Sequence, residues 1–335
     1  MKKVALALAS GGPRGFAYIG AIEELQKRGY TITSVAGTSA GALVGGIFAA
    51  GRMEEFKEWL YGLDSMKVLS LMDFAISKNS LVKGEKVISE IQKMVPNLNI
   101  EDLAVPFTAV ATDLYTGEEV LFREGPVFDA IRASISIPSA FRPVKWQGRT
   151  LIDGGVTNTF PLNRVQRTPG DILVGFNVNE IDAAQIQGFL DSRAALDAEE
   201  EARREEAKSL LKDTLATAER GDFLEKMKNA HQRGSQLIRE SVASGIQERR
   251  LVAEGKESHL PIDADDNYLS LIQRSFGIMN CALSRMAISL TPPDILCSLP
   301  FDSYHGVYGY SHAREIVDKG RELMAEALDN YEKLK

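Results

Sequence analysis

The chain of 335 residues has few cysteines, no long hydrophobic run and no excess of positive charge. Its two cysteines, Cys281 and Cys297, are too few for a disulfide scaffold and too far apart for a Cys-x-x-Cys motif, so we expect reduced core residues. No segment approaches the ~20 apolar residues that a membrane span needs. The formal net charge of -7 disfavours binding to phosphate backbones and to strongly anionic lipid surfaces, so we expect no nucleic-acid partner.

Metal-ligand spacing is also missing. The histidines, His231, His259, His305 and His312, form no pattern such as His-x-x-x-His. We therefore expect neither a metal nor a cofactor.

The N-terminus has features of a signal peptide, with Met1-Lys2-Lys3 followed by an apolar run from residue 4 to residue 9. The run is short, however, and it meets Gly11-Gly12. A short apolar segment that ends at glycines favours a buried parallel strand. We accordingly predict a cytoplasmic protein that begins with a strand.

From residue 4 to about residue 180, short apolar runs alternate with helical patterns, which is typical of a mostly parallel sheet with helices on both faces. Strands are predicted at Val4–Leu8, Ser34–Ala36, Val105–Ala111, Val120–Phe122, Leu151-Ile152 and Ile172–Phe176. The first two strands are each followed by a helix, one through Ile19, Ile22 and Leu25 and the other through Leu43, Val44, Ile47 and Phe48.

The chain divides by composition into three parts. Residues 1–180 are predicted to be the catalytic core, and residues 181–260, rich in Ala, Glu, Arg, Lys and Gln, a charged helical insertion. Residues 261–335 would complete the core with helices at Tyr268–Ile288 and His312–Leu334 and a strand at Asp294–Leu299. A solvated insertion is favoured over a lid or a partner-binding arm.

Gly37-x-Ser39-x-Gly41, between a predicted strand and a predicted helix, has the form of a nucleophile elbow. Glycine is expected on either side of Ser39 because a larger residue would collide where strand and helix approach each other. The N-terminus of the following helix would help to stabilise an oxyanion.

A glycine loop, Ser10-Gly11-Gly12-Pro13-Arg14-Gly15, follows the first strand. Its N–H groups at Gly11 and Gly12, joined by that of Ala40, are candidate oxyanion donors, with Arg14 and Gly15 supporting the loop. A loop that needs glycine only for its backbone angles stays an alternative. A dinucleotide site is disfavoured because the second strand ends in the elbow instead of an acidic residue.

Asp153-Gly154-Gly155 places a carboxylate at the end of a short apolar strand, where two glycines let another backbone come close. Alone, this pattern is typical of a turn aspartate. In company with the loop and the elbow it resembles the ordered motif set of the patatin-like phospholipase family. The stretches Ile131–Pro138 and Asp153–Asn158, with Pro161, also resemble that family, whereas Ser10 and Pro13 depart from its glycine loop.

This resemblance covers residues 4 to about 180 and, more loosely, about 266 to 325. It implies a three-layer α/β/α fold and a serine acyl hydrolase that acts on lipid or small ester substrates through a dyad, with Ser39 as nucleophile and Asp153 as proton acceptor. Transient contact with a membrane surface and a homo-oligomer are both compatible with it.

Two alternatives stay open at this point. One is a Ser-Asp-His esterase that uses His305 or His312. The other is a catalytically silent lipid-binding or regulatory protein, which the intact motif set disfavours.

Apolar residues after the elbow fit either an acyl pocket or the core, and the core is favoured. They are Trp59, Leu60, Tyr61, Leu69, Leu71, Met72 and Phe74.

Overall fold

The computed structural model describes residues 2–71, 74–77, 80–82, 85–95, 98–138, 140–216, 268–304 and 308–334. The chain forms two compact units. The first comprises Met1–Ile181 and Ile262–Lys335, and the second comprises Asp182–Pro261. Within the described ranges, no helix is long and apolar enough to cross a membrane.

The first unit is built on an eight-stranded sheet. Its strands are β1 (Lys2–Leu8), β2 (Tyr30–Thr38), β5 (Phe107–Asp113), β6 (Glu119–Phe122), β7 (Val144–Trp146), β8 (Arg149–Asp153), β9 (Ile172–Glu180) and β10 (Ile295–Pro300). A separate antiparallel pair consists of β3 (Phe74–Ser77) and β4 (Ser80–Val82).

The α-helices of the described residues are α1 (Ala17–Lys27), α2 (Ala40–Ala49), α3 (Met53–Tyr61), α4 (Ser65–Leu71), α5 (Glu85–Met94), α6 (Val127–Ser134), α7 (Ala183–Ala216), α8 (Tyr268–Leu290) and α9 (Ala313–Lys333). Short 3-10 helices lie at Gly12–Phe16, Ile100–Asp102, Gly154–Val156 and Tyr308–His312. Helix α7 belongs to the second unit, and the rest of the predicted helical insertion lies outside the described residues.

The strand order is β10-β9-β1-β2-β5-β8-β7, with β6 also paired to β5. Strands β10, β9, β1, β2 and β5 run parallel, and β6, β7 and β8 are antiparallel to their neighbours. The predicted fold class, a mostly parallel sheet in a three-layer α/β/α arrangement, is therefore confirmed. Parallel order places the carboxyl ends of β1, β2 and β5 at one edge, where ligands bind in such sheets.

The N-terminal apolar run is the buried strand β1, as predicted. Alternate side chains of this strand belong to hydrophobic clusters on opposite faces of the sheet. Val4, Leu6 and Leu8 belong to the large hydrophobic core with α1, α2 and α9. The small residues between them, such as Ala5 and Ala7, face a second cluster that includes Phe160 and is covered by α8. Successive side chains of a strand point to opposite faces, so one strand supplies both cores.

Several boundaries and elements differ from the sequence predictions. Strand β2 begins at Tyr30, before the predicted start at Ser34. Its first half alternates buried residues with the exposed Thr31 and the half-buried Thr33, which weakens the apolar pattern in the sequence. Strand β5 begins and ends two residues later than predicted. Helices α3 to α5 and strand β7 were not predicted individually.

Helices α1 and α9 cross at unusually short range through two glycines. A Cβ on Gly20 would lie 1.9 Å from the Val317 carbonyl oxygen, and a Cβ on Gly320 would lie 1.9 Å from the Ala17 carbonyl oxygen. Backbone groups cannot move aside as a flexible side chain can, so this crossing requires glycine on both helices.

We predict that Gly320→Ala lowers the free energy of unfolding by about 1–3 kcal/mol, because the added methyl group must push the two helices apart. The measurement is urea denaturation followed by circular dichroism. Gly62→Ala is the matched control, since its Cβ would meet its nearest atoms at an ordinary 3.4 and 3.6 Å. Equal stability of the two variants would contradict the tight crossing.

Candidate active site

Ser39 lies at the turn between β2 and α2, at the carboxyl edge of the parallel strands. Its backbone φ of 54° and ψ of -118° are values that non-glycine residues rarely adopt, and its side chain is only 2% exposed. Such a conformation costs on the order of 1–3 kcal/mol and persists only where the surroundings impose it. The turn therefore has the strained form expected of a nucleophile elbow.

The glycines around Ser39 are required by close backbone contacts. A Cβ on Gly37 would lie 2.2 Å from the carbonyl oxygen of Gly41, and a Cβ on Gly41 would lie 2.2 Å from that of Leu8. A Cβ on Gly15 would lie 2.5 Å from the Ala40 Cβ. The steric prediction for the elbow glycines is thus confirmed, and the end of β1 presses directly on the turn.

Ser134, at the end of α6, holds the backbone of the elbow in place. The Ser39 N–H donates to Ser134 Oγ at 2.9 Å, and Ser134 Oγ donates to the Val110 carbonyl oxygen of β5 at 2.6 Å. Because Ser134 is fully buried, loss of either bond would leave an unpaired polar group. This side chain was not singled out from the sequence.

The glycine loop lies beside the elbow and is fixed to β9. The Arg14 side chain donates from Nε to the Val178 carbonyl oxygen at 2.9 Å, and Asn179 Nδ2 donates to the Ser10 carbonyl oxygen at 2.6 Å. A Cβ on Gly11 would lie 2.1 Å from Val178 Cγ2, and Gly12 adopts a left-handed φ of 56°. Glycine is therefore favoured at both positions, at Gly11 because a side chain would collide with Val178 and at Gly12 because of its backbone conformation. The Arg14 side chain holds the loop against β9.

Asp153 ends β8 opposite Ala111 of β5 and is 4% exposed. Its Oδ1 accepts a hydrogen bond of 2.7 Å from the Gly155 N–H, which caps the short helix Gly154–Val156. A Cβ on Gly154 would lie 2.2 Å from the Val110 carbonyl oxygen, so this glycine permits the close approach of β5 that the sequence predicted.

Burial raises the pKa of Asp153 to about 6, although contact with the Ser39 hydroxyl and the Gly155 N–H both lower it. Its Oδ2 is buried and has no hydrogen-bond partner of standard geometry among the described residues. The Ser39 hydroxyl therefore lowers the pKa of Asp153 although Oδ2 has no hydrogen bond of standard geometry. Catalytic hydrogen bonds are often misaligned before substrate binds.

A cavity of about 170 Å³ opens beside Ser39. Its walls come from α2, α3, α4, α5 and the loop after α6, and they are almost entirely apolar. Gly12 and Ala40, but not Gly11, are among the described residues that line it. Of the three predicted oxyanion donors, two therefore line the cavity beside Ser39. Representative wall residues are Leu43, Val44, Trp59, Leu60, Leu71 and Phe141.

The apolar residues after the elbow were predicted to be core, and this is confirmed for Leu60, which is buried in the large core, and for Trp59 and Tyr61, which pack against it. Trp59, Leu60 and Leu71 also line the cavity. Helices α3 and α4 turn back over α2, a long-range arrangement that local pattern does not indicate. The side chains of Leu69, Met72 and Phe74 lie outside those that the structure describes.

His312, the histidine in the described part of the chain, does not line the cavity beside Ser39. His312 is half-buried and its Nδ1 lies 3.4 Å from Ser311 Oγ. His231, His259 and His305 lie outside the described residues. Among the residues described, no group of three or more His, Cys, Asp or Glu side chains could hold a metal ion.

Comparison with known proteins identifies the family. The sequence profile for patatin-like phospholipase matches residues 6–165. A protein of Mycobacterium bovis, named an uncharacterized NTE family protein, is 33% identical over 339 residues that cover 98% of this chain and 92% of the relative. Patatin-like phospholipase domain-containing protein 7 of Mus musculus is 28% identical over 196 residues, or 56% of this chain and 14% of its own length. The chain belongs to the NTE family and carries a patatin-like phospholipase domain.

Proposed function

We propose that this protein is a serine acyl hydrolase that cleaves fatty acyl esters of lipids through a Ser39–Asp153 dyad. The observation that carries the proposal is the position of Ser39, strained and lining an apolar cavity, with its hydroxyl lowering the pKa of the buried Asp153 carboxyl. The family profile supports lipid acyl hydrolysis in general.

In the first half of the reaction, Ser39 Oγ attacks the ester carbonyl carbon while Asp153 Oδ2 takes the hydroxyl proton. Oδ2 suits this step because Oδ1 already accepts from Gly155. The N–H groups of Gly12 and Ala40 begin helical turns, where no intrahelical acceptor exists, so they are free to stabilise the oxyanion. As the tetrahedral intermediate collapses, the ester C–O bond breaks and Asp153 returns the proton to the leaving alcohol.

The second half repeats these steps with water. Asp153 takes a proton from the water that attacks the acyl-enzyme carbonyl, and the tetrahedral intermediate releases the fatty acid as the Ser39 oxygen regains that proton. A carboxyl with a pKa of about 6 is a stronger base than an ordinary aspartate yet is still ionised at neutral pH.

The cavity indicates the kind of acyl group. Every side chain that lines it among the described residues is uncharged, and those of α2 to α5 are aliphatic or aromatic. Such walls bind a hydrocarbon chain by removing apolar surface from water. We therefore propose phospholipids, lysophospholipids or other fatty acyl esters as substrates, reached through transient contact with a membrane or micelle surface.

The first prediction concerns the dyad. Ser39→Ala should lower kcat about 1,000-fold or more on p-nitrophenyl esters, because it removes the nucleophile. Asp153→Asn should lower kcat about 100- to 10,000-fold, because it removes the base. Wild type should prefer longer acyl chains, which fill the apolar cavity.

The controls are His305→Ala and His312→Ala, which should retain activity. Loss of turnover in either folded histidine variant would favour a Ser-Asp-His esterase instead. A fluorophosphonate probe should label wild type and not Ser39→Ala, and a wild type that stays unlabelled would indicate a silent binding protein.

The second prediction concerns the pH dependence of the rate. Asp153 must be ionised to accept the proton, so kcat/KM should rise as pH increases through about 6 and then level off. The measurement uses a neutral ester between pH 4.5 and pH 8.5, with product detected where its two protonation states absorb equally. A rate that rises only through the ordinary range of an exposed carboxyl, about 4, would contradict a buried base.

The third prediction concerns stability. Because the pKa of Asp153 is raised in the folded protein, folding is favoured below its ordinary pKa of 3.8 and this contribution is lost as pH rises through about 6. Asp153→Asn should therefore be more stable than wild type at pH 8, by at most about 3 kcal/mol, with a smaller difference at pH 5. Apparent unfolding temperatures at the two pH values measure this.

Asp171→Asn is the matched control with the opposite sign. Desolvation raises the pKa of Asp171, but hydrogen bonds from Thr168 and Thr33 outweigh it and lower the pKa overall. Its replacement should reduce stability at pH 8. If Asp153→Asn also reduced stability at pH 8, the unfavourable burial of the Asp153 charge would be disproved.

A further inference from the structure

The cavity beside Ser39 contains a second polar group with no role in the dyad. Among the described residues that line it, Ser39 and Tyr310 carry the only side-chain hydroxyl groups. The other lining residues are glycine, alanine, aliphatic or non-hydroxyl aromatic. A polar group that faces an apolar binding space without a partner calls for an explanation.

Tyr310 lies on the short helix Tyr308–His312, which packs against the oxyanion-loop helix Gly12–Phe16. Its ring meets the Phe16 ring edge-on, with 5.8 Å between the ring centroids and 71° between the planes. Its hydroxyl oxygen lies 3.8 Å from the point where a Cβ on Gly12 would stand. The hydroxyl is therefore held directly beside Gly12, one of the two proposed oxyanion donors that face the cavity.

The Tyr310 hydroxyl is available as a hydrogen-bond donor. No hydrogen bond joins it to another residue in the described ranges, whereas the hydroxyls of Tyr18, Tyr30 and Tyr304 all have partners. Burial raises the pKa of Tyr310 above its ordinary value, the charge of Arg14 lowers this pKa, and the charge of Asp153 raises it. Because the pKa is raised overall, the phenol stays protonated at neutral pH.

We propose that Tyr310 is a further catalytic residue, whose hydroxyl donates a hydrogen bond to the substrate oxyanion beside the N–H groups of Gly12 and Ala40. This inference rests on the proposed hydrolase function. It gives the site a third donor in place of Gly11, which does not line the cavity among the residues described. No proton leaves Tyr310, because the hydrogen bond strengthens as negative charge develops on the carbonyl oxygen and weakens again as it disappears.

Position in the chain explains why this residue was not found from the sequence. Tyr310 lies far from the elbow in sequence and belongs to no part of the motif set. Its short helix directly precedes α9, which packs across α1 through Gly20 and Gly320.

The test is Tyr310→Phe, which keeps the ring and its contact with Phe16 and removes only the hydroxyl. We expect kcat on a p-nitrophenyl ester to fall about 10- to 100-fold with KM changed less than about twofold, because the lost bond acts mainly in the transition state. Affinity for an acyl trifluoromethyl ketone, which forms a tetrahedral adduct with Ser39, should fall by a similar factor. Affinity for the corresponding unreactive alkyl amide should be unchanged.

Tyr304→Phe is the matched control. Its hydroxyl donates to Glu315 Oε1 at 2.9 Å and does not line the cavity among the residues described, so kcat and ketone affinity should equal those of wild type. Apparent unfolding temperatures of both variants check that the fold is retained. The comparison separates removal of a cavity hydroxyl from removal of any buried tyrosine hydroxyl.

Two results would overturn the inference in distinguishable ways. In the first, Tyr310→Phe has unchanged kcat and ketone affinity while turnover still depends on Ser39. This result would mean that Tyr310 only lines the cavity, and it would leave the hydrolase proposal intact. A wild type whose ester hydrolysis does not depend on Ser39 would overturn the hydrolase proposal and this inference together.

Discussion

The close approach of the β1 end to the turn between β2 and α2 is the constraint on which the rest of the site depends. Gly41 lies so near the Leu8 carbonyl oxygen that even a methyl group would collide with it. Close contact on one side and the Ser134 hydrogen bond on the other hold Ser39 in a conformation it would not adopt alone. The same contact brings the glycine loop beside Ser39, because that loop is the continuation of β1.

Burial of Asp153 has opposite effects on reactivity and on stability. Removal of water from the carboxylate makes it a better base, and the same removal makes the ionised form costly to keep in a folded protein. The Gly155 N–H offsets part of this cost at Oδ1, while Oδ2 has no such compensation. A single added hydrogen bond to Oδ2 would stabilise the protein and also weaken its basicity, so the uncompensated oxygen is consistent with a role in proton transfer.

Local sequence predicts most of the sheet and the candidate site residues Ser39 and Asp153. The first strand, the elbow and the Asp-Gly-Gly turn could be predicted because each depends on neighbouring residues, as the steric need for Gly37 and Gly41 illustrates. The cavity wall could not, since Trp59 and Leu71 have the composition of core residues and only the path of α3 and α4 brings them to Ser39. Ser134 and Tyr310 were missed for the same reason, because their contacts span long separations in sequence.

Gly11 shows that the sequence does not predict which N–H groups of the glycine loop lie at the cavity. Sequence alone treats Gly11 and Gly12 as equivalent donors, yet a left-handed φ at Gly12 and a side-chain contact at Gly11 give the two residues different surroundings. Backbone orientation within a glycine loop depends on what packs against it, here Val178 and Asn179 of β9.

The order of the outer strands also affects how the chain is made. Strand β10 pairs with β9 in the sheet but follows it only after residues 182–261, the whole second unit, and α8. During synthesis from the N-terminus, β9 therefore has an unpaired edge until residue 300 has left the ribosome. An open strand edge is a template for pairing with other chains, so a product that stops before residue 295 keeps an aggregation-prone edge however well Ser39 and Asp153 are placed.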